Sequence, residues 1–157
     1  MNFNDLTVNF DHIDRDQILS DWTWILGSTK LPIMITAAGD AFVQDTEDNT
    51  VHFLDTVLGS LNKVADSFET FQKLLDDKDF VVEYMMVQQV GDLLQRGIKL
   101  NKGEVYSFKT PPVVGGEFTF ENIEKSDIEI HFSFSGQIHE QVKDIPDGET
   151  ISGIKIK

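Results

Sequence analysis

The stretch that decides the fold is L-P-I-M-I-T-A-A-G-D-A-F-V-Q-D-T-E-D-N-T-V-H-F-L-D-T-V-L-G-S-L-N-K-V-A, residues 31–65. It contains four short runs rich in β-branched and aromatic residues, at 33–36, 41–44, 51–54 and 61–64. Between them lie A-A-G-D, D-T-E-D-N-T and T-V-L-G-S, which have the composition of turns. Because connections this short favour antiparallel pairing, the sequence predicts a β-meander over residues 33–64.

Helical patterns flank this meander. Residues 14–26 predict a helix capped by Asp14 and Gly27, with an apolar stripe of Ile18, Leu19, Trp22, Ile25 and Leu26. A second helix is predicted to begin at Asp66-Ser67-Phe68-Glu69, and a third to cover residues 81–96. Residues 126–143 fit both periodicities, and we favour a helix for at least the second half.

The remaining segments predict shorter elements. Glu104–Phe108 predicts a strand, and Phe118–Ile123 a short strand or one helical turn. Pro146-Asp147-Gly148 predicts a turn, and Ile151, Ile154 and Ile156 a final strand. The fold class is therefore α+β: one domain over residues 1–157, with a central, mainly antiparallel sheet, three or four flanking helices and an N-terminal extension at 1–12.

Charge limits the classes of partner. The chain has 157 residues with 27 acidic and 13 basic side chains, giving a net charge of −14. Direct binding of nucleic acid or of an anionic membrane is disfavoured, since both are negatively charged. The acidic excess either keeps the protein soluble or matches a basic protein partner. No cysteine, apolar span or signal peptide is present, which predicts a cytoplasmic protein; the oligomeric state stays open.

No residue set predicts catalysis, a cofactor or a metal site. His131 and His139 lie eight residues apart, a loose spacing for zinc ligands, so polar groups at the edge of the core are the favoured interpretation. The acidic run with Asp45, Glu47 and Asp48 lacks the glycine of a calcium loop and predicts a solvated hairpin. A metal-binding enzyme using His131 and His139 remains an alternative.

The segment K-T-P-P-V-V-G-G-E-F, residues 109–118, predicts a corner of the chain. The two prolines end the preceding strand and the two glycines allow a sharp turn. Glu117 argues against a phosphate-binding loop. We list the residues after the glycines, together with the acidic hairpin, as candidate partner contacts: Glu117, Phe118, Glu121 and Glu124, and Asp45, Glu47 and Asp48.

Six pieces of sequence together resemble a known family. They are D-W-T-W-I-L, T-A-A-G-D-A-F-V-Q-D, V-H-F-L-D-T-V-L-G, V-A-D-S-F-E-T-F, P-P-V-V-G-G-E-F-T-F-E-N-I and F-S-G-Q-I-H-E-Q-V-K-D-I-P-D-G, and the resemblance runs from about residue 14 to 156. In this order they resemble the bacterial immunity-protein domain that neutralises DNase-type toxins of type VI secretion systems. G-D-A-F and D-S-F-E-T-F are also similar, more loosely, to motifs of the SUKH immunity superfamily.

The resemblance implies an α/β domain that binds a basic, nuclease-type toxin and blocks it without catalysis. An acidic protein would then occupy the basic cleft in which a nuclease holds its polyanionic substrate. The alternative outside the family is a regulatory or scaffold domain whose protein partner is not a toxin.

Overall fold

The computed structural model describes residues 1–146, 148–149, 151 and 153–157, and over these it forms seven strands and five α-helices. The strands are β1 Thr7–Val8, β2 Lys30–Thr36, β3 Ala41–Asp45, β4 Val51–Asp55, β5 Ser60–Ala65, β6 Glu104–Phe108 and β7 Ile123–Asp127. The helices are α1 Thr23–Leu26, α2 Phe68–Leu74, α3 Lys78–Tyr84, α4 Val87–Gln95 and α5 Ile128–Val142.

The first five strands form one antiparallel sheet in the order β1-β2-β3-β4-β5. The predicted meander and the α+β class are therefore confirmed. Part of the predicted N-terminal extension joins this sheet, because Thr7 and Val8 pair with Thr36 and Ile35 at the edge. Strands β6 and β7 make a separate antiparallel pair.

Alternation along β3 places the core on both faces of the sheet. Ala41 and Val43 pack with α5 residues such as Phe132 on one face. Phe42 faces the other way, where its ring lies 5.0 Å from that of Phe53 and 4.8 Å from that of Phe71 of α2. The sheet is thus covered by α5 and residues 18–26 on one side, and by α2 and α3 on the other.

Residues 14–26 contain the predicted apolar stripe but not the predicted continuous helix. Residues 15–19 are turns, 20–22 form a 3₁₀ turn, and only Thr23–Leu26 is α-helical. The tight turn lets α5 approach: a side chain at Gly136 would place its Cβ 2.6 Å from the Asp21 carbonyl oxygen. Tertiary packing has overridden helix propensity here.

The two tryptophans of this segment have different surroundings. Trp22 is fully buried, as predicted. Trp24 stacks on Trp22 with ring centroids 5.6 Å apart, and its Nε1 donates to the Gly136 carbonyl over 3.2 Å. Trp24 therefore packs against α5.

Three further predictions need correction or confirmation. The helix predicted over 81–96 is two helices, because Met86 between α3 and α4 has a left-handed backbone, φ 52°. The helix in the second half of 126–143 is confirmed as α5, while Ile123–Asp127 is a strand that the sequence did not reveal. Residues 120–122 form the predicted single helical turn.

The C-terminal predictions are less complete. The predicted turn at Pro146-Asp147-Gly148 includes residue 147, which lies outside the described residues. Residues 151 and 153–157 do not form the predicted strand. The backbone N–H groups of Lys155 and Lys157 donate to the side-chain oxygens of Gln141 and Gln137, over 2.9 Å and 2.7 Å, so the tail is tied to α5.

Candidate functional site

Helix α5 directs two histidines at two turns of the sheet. His131 lies against Gly39 in the β2–β3 turn, and His139 against Gly59 in the β4–β5 turn. Both glycines have left-handed backbones, φ 87° and 68°, and a Cβ at either position would collide with the facing imidazole. Glycine is therefore required twice over at each turn, for its backbone angle and for its lack of a side chain.

Hydrogen bonds fix the ring of His131. Its Nε2 lies 2.7 Å from the Gly39 carbonyl oxygen, which can only accept, so Nε2 carries the proton. Its Nδ1 then accepts from the Ser107 hydroxyl over 2.7 Å. Burial lowers the pKa of His131 to about 4 and keeps the ring neutral.

His139 has a similar structural role. Its Nε2 donates to the Thr56 carbonyl over 2.9 Å, and burial lowers its pKa. Among the described residues, no group of three or more His, Asp or Glu side chains could hold a metal ion. The geometry thus gives His131 and His139 the task of holding two turns together.

Asp40 follows Gly39 in the first of these turns and is 5% exposed. Its Oδ1 accepts from the Thr56 backbone N–H over 2.8 Å and lies 3.1 Å from the Thr56 hydroxyl. That hydroxyl is also 2.8 Å from the Gly39 carbonyl oxygen, so its single proton serves two acceptors. Burial, with a contribution from the Asp55 charge, raises the pKa of Asp40 to about 7.

The two turns form one side of an apolar cleft of about 240 Å³. Helix α4, strand β6 and the loop after β6 form the other side. The apolar lining includes Val57, Leu58, Met86, Val90, Phe108 and Phe118. Asp40 and Asp55 are its acidic members, and no lysine or arginine of the described chain lines it. This is a hydrophobic surface with negative charge at its base.

Two large apolar side chains stand at the edge of this cleft in solvent. Leu58 is 70% exposed and Phe118 is 71% exposed. Among the described residues, Phe118 has one aromatic neighbour, Phe108, at 5.6 Å in an edge-on arrangement. Exposed apolar residues grouped around a concave surface mark binding sites more often than scattered ones do.

A closed loop presents Phe118. Asn122 bridges this loop: its side-chain oxygen accepts from Thr110 N–H over 2.9 Å, and its amide donates to the Thr110 and Glu117 carbonyls, 2.8 Å each. Gly116 packs so closely on the Thr110 carbonyl that a Cβ would overlap it, and Gly115 has a left-handed backbone, φ 100°. The predicted corner at residues 109–118 is therefore present.

The candidate contact residues lie in two separate places. Phe118 lines the cleft, while Glu117 and Glu121 are exposed on the outer side of its loop and Glu124 is exposed on β7. Asp45, Glu47 and Asp48 lie in the β3–β4 hairpin, at the other end of the sheet, roughly 15 Å away by strand length. The two acidic segments therefore do not form one patch.

In the hairpin, hydrogen bonds within the turn hold the acids. Asp45 accepts from Glu47 N–H over 2.8 Å and pairs with Lys30 at 3.5 Å. The Thr50 hydroxyl donates to Asp48 over 2.6 Å. These bonds lower the pKa of Asp45 and Asp48, as in a solvated hairpin.

Sequence reasoning missed Asp40, Asp55 and Leu58 as site residues. All three belong to stretches that were identified only as turns or strand ends. The available signal was an aspartate directly after the glycine of the β2–β3 turn, together with an apolar residue in the β4–β5 turn at the same end of the sheet. That signal becomes specific only when the two turns are known to be adjacent.

Comparisons with known proteins find a family model and a solved structure similar to this chain. Residues 65–139 match the family model described as T6SS immunity protein Tdi1, C-terminal. Among curated proteins, none matches the chain. Within the described residues, no helix has both the length and the apolarity needed to cross a membrane.

A solved structure shares the fold. The crystal structure of Atu4351 from Agrobacterium tumefaciens superposes with a TM-score of 0.56 at 19% identity. The match covers 78% of this chain and 64% of that one, so the present chain spans less than two thirds of its relative's length. Similarity to the SUKH superfamily stays a prediction. The resemblance to type VI immunity proteins is confirmed over residues 65–139, from the end of β5 into α5, which match the family model of the T6SS immunity protein Tdi1 C-terminal domain.

Proposed function

We propose that this chain is a non-enzymatic immunity protein that binds and neutralises a basic, nuclease-type toxin in the cytoplasm. The observation that carries the proposal is the cleft with Leu58 and Phe118 exposed at its edge and two carboxylates in its lining. Its family supports the toxin as the class of partner.

The chemistry of the cleft fits a protein ligand. Interfaces are stabilised mainly by a few large side chains that become fully desolvated at their centre. Leu58 and Phe118 are such side chains, held by a short turn and by the Asn122-bridged loop. A partner that covers them would also remove Asp40 and Asp55 from water, which favours a partner carrying positive charge.

The wider charge distribution supports the same class of partner. At a net charge of −14 the chain attracts a basic protein over several ångströms, and salt screens this attraction. We assign Glu117, Glu121 and Glu124 to the rim of the contact. Asp45, Glu47 and Asp48, at the far end of the sheet, act through the general field only.

The test is a protection and binding assay with a candidate nuclease toxin, chosen from any secreted nuclease that proves to be encoded next to this gene. Co-expression should rescue host growth, and the purified proteins should form a complex. Phe118→Ser should weaken binding by about tenfold or more, since it removes an interface anchor. Phe68→Ser is the matched control. Phe68 is 43% exposed, and like Phe118 it has a neighbouring aromatic ring, that of Phe71 at 6.3 Å. Equal lethality with and without this chain would exclude the immunity function for that toxin.

Charge reversal separates the two acidic segments. Replacing Glu117, Glu121 and Glu124 together with lysine should weaken binding, and more so at low salt. The same reversal at Asp45, Glu47 and Asp48 should have the smaller effect. If the protein purified from its own host carries a partner that is not a toxin, the regulatory or scaffold function takes precedence.

A further inference from the structure

The base of the cleft contains a carboxylate oxygen that the protein itself leaves without a hydrogen bond. Both donors to Asp40, the backbone N–H and the hydroxyl of Thr56, reach Oδ1. No donor among the described residues reaches Oδ2. Fully buried side-chain polar atoms of the described residues all have a hydrogen-bond partner, except Trp22 Nε1. Because Asp40 Oδ2 has no such partner, it is not fully buried. Asp40 lines the cleft, so the cleft is the space from which a donor can reach Oδ2.

A second carboxylate lies in the same lining. Asp55 uses Oδ1 to accept from the backbone N–H groups of Val57 and Leu58, 2.9 Å each. Its Oδ2 accepts no hydrogen bond from the described residues. The two aspartates interact through their charges. The cleft thus holds two nearby carboxylates, each with one oxygen that accepts no hydrogen bond from the described residues, between apolar walls. A cationic group with several N–H donors would neutralise both charges and bond both oxygens.

The apolar lining of the cleft favours a cation with a long aliphatic stem and a planar head group. Val57, Leu58, Met86 and Phe118 offer aliphatic and aromatic contacts around the carboxylates. A long aliphatic stem would bury its carbons along them. Phe118 at the edge adds an aromatic face for a planar cation.

Resting on the proposed function, we propose that the cleft is a socket for one arginine side chain of the protein partner, with Asp40 Oδ2 and Asp55 Oδ2 as its hydrogen-bond acceptors. Arginine fits better than lysine for two reasons. Its guanidinium group has five N–H donors in a plane and can reach two separate oxygens, and it is less strongly hydrated than an ammonium group. Closure of an interface over the cleft would then bury a paired charge instead of a single one.

The protonation of Asp40 agrees with this assignment. In the free protein its pKa is about 7, so near neutral pH the carboxyl group is partly protonated. The groups facing it are Asp55 at the end of β4, the neutral His131 of α5 and Thr56. A bound cation favours the carboxylate form, so binding should release part of a proton near pH 7 and tighten as the pH rises from 6 to 8.

The test uses N-butylguanidinium chloride as the probe, with the whole chain and backbone amide NMR. The probe should give saturable shifts at Thr56, Val57 and Leu58. The neutral isostere N-butylurea should give little or none, and N-butylammonium should bind more weakly. Asp40→Asn should weaken guanidinium binding by about tenfold or more, because the amide keeps the Thr56 bonds and loses the charge. Asp48→Asn, in the distant hairpin, should leave binding unchanged.

A second variant covers the chance that Asp40→Asn does not fold. Phe118→Leu changes only an exposed ring and should weaken guanidinium binding by a factor of roughly two to five. Equal binding of N-butylurea, tighter binding of N-butylammonium, or unchanged binding by both variants would overturn the arginine socket. These results are independent of the toxin assay: protection without guanidinium binding refutes only the socket, and binding without protection refutes only the choice of toxin.

Discussion

Asp40 makes the stability of this protein depend on pH in an unusual direction. Its carboxyl group has a pKa of about 7 in the folded protein, whereas the usual value for aspartate is 3.8. Between these two pH values the unfolded chain loses the proton and the folded chain keeps it. The folded state therefore binds more protons, and the Asp40 contribution to stability falls as the pH rises from about 4 to about 7.

The size of this effect follows from the same two values. They differ by about three, and each factor of ten in a proton equilibrium is worth ~1.4 kcal/mol, which gives an upper limit of about 4 kcal/mol. Water that reaches Oδ2 through the cleft lowers this, so we expect a loss of roughly 2 to 4 kcal/mol between pH 4.5 and pH 8.

The wild-type curve alone shows less than this loss, because His131 acts in the opposite direction. Its ring is neutral in the folded protein, with a pKa of about 4, and becomes protonated below about 6.5 when unfolded. The unfolded state then binds more protons, so the His131 contribution rises with pH over 4 to 6.5. Over that interval the two contributions partly cancel.

Asp40→Asn isolates the aspartate. The variant keeps an oxygen that accepts from Thr56, leaves His131 in place and cannot ionise. The free energy of unfolding, from urea titrations at intervals between pH 4.5 and pH 8.5, should rise for the variant relative to wild type as the pH increases. The difference should level off above about pH 8. Two parallel stability curves would refute the reasoning, because they would show that the folded protein leaves the ionisation of Asp40 unperturbed.

Four further predictions concern backbone packing and the Phe118 loop. Gly136→Ala should destabilise the protein by about 2 to 3 kcal/mol in urea unfolding, since its Cβ would lie 2.6 Å from the Asp21 carbonyl oxygen. Gly91→Ala, also within a helix but 3.6 Å from its nearest neighbour, should stabilise it by about 0.5 to 1 kcal/mol. Gly39→Ala should cost about 2 to 4 kcal/mol, because φ is 87° and the Cβ would meet an imidazole of α5; a cost under 1 kcal/mol would contradict that contact. Asn122→Asp loses the donors that close the loop, so amide hydrogen exchange over residues 110–122 should accelerate with that of the meander unchanged.

Local signals predicted the sheet well and the helices less well. The four runs between 33 and 64 became β2 to β5, because alternating apolar residues and turn sequences are local properties. The helix at 81–96 was split by Met86, whose left-handed backbone is unusual for a residue with a side chain and was not visible in the apolar stripe. Over 14–26 the close approach of α5 at Gly136 decided the conformation, which is a long-range contact.

The cleft could be predicted only in part for the same reason. Phe118 was identified because an exposed-looking aromatic next to acids after a glycine corner is a local pattern. Asp40 and Leu58 gain their significance from the pairing of β3 with β4, which brings two turns together, and from α5, whose histidines hold both. The eight-residue spacing of those histidines was interpreted as polar groups at the edge of the core, with a metal site as the alternative; the structure shows that each histidine bonds a different turn of the sheet.

The cleft lies across the limit of the recognised family segment. Residues 65–139 supply α4, β6 and the Phe118 loop, while Asp40, Asp55 and Leu58 come from the meander before it. A chain that keeps the family segment and changes the meander turns would retain the aromatic edge of the cleft and lose its carboxylates. On the proposed function, those carboxylates would select a basic side chain of the partner, and Phe118 would select its apolar surface. In proteins that share the segment, the charge preference and the apolar contact could therefore vary separately. Exchange of residues 38–40 and 55–58 between two such proteins should therefore transfer charge preference while Phe118-dependent binding persists.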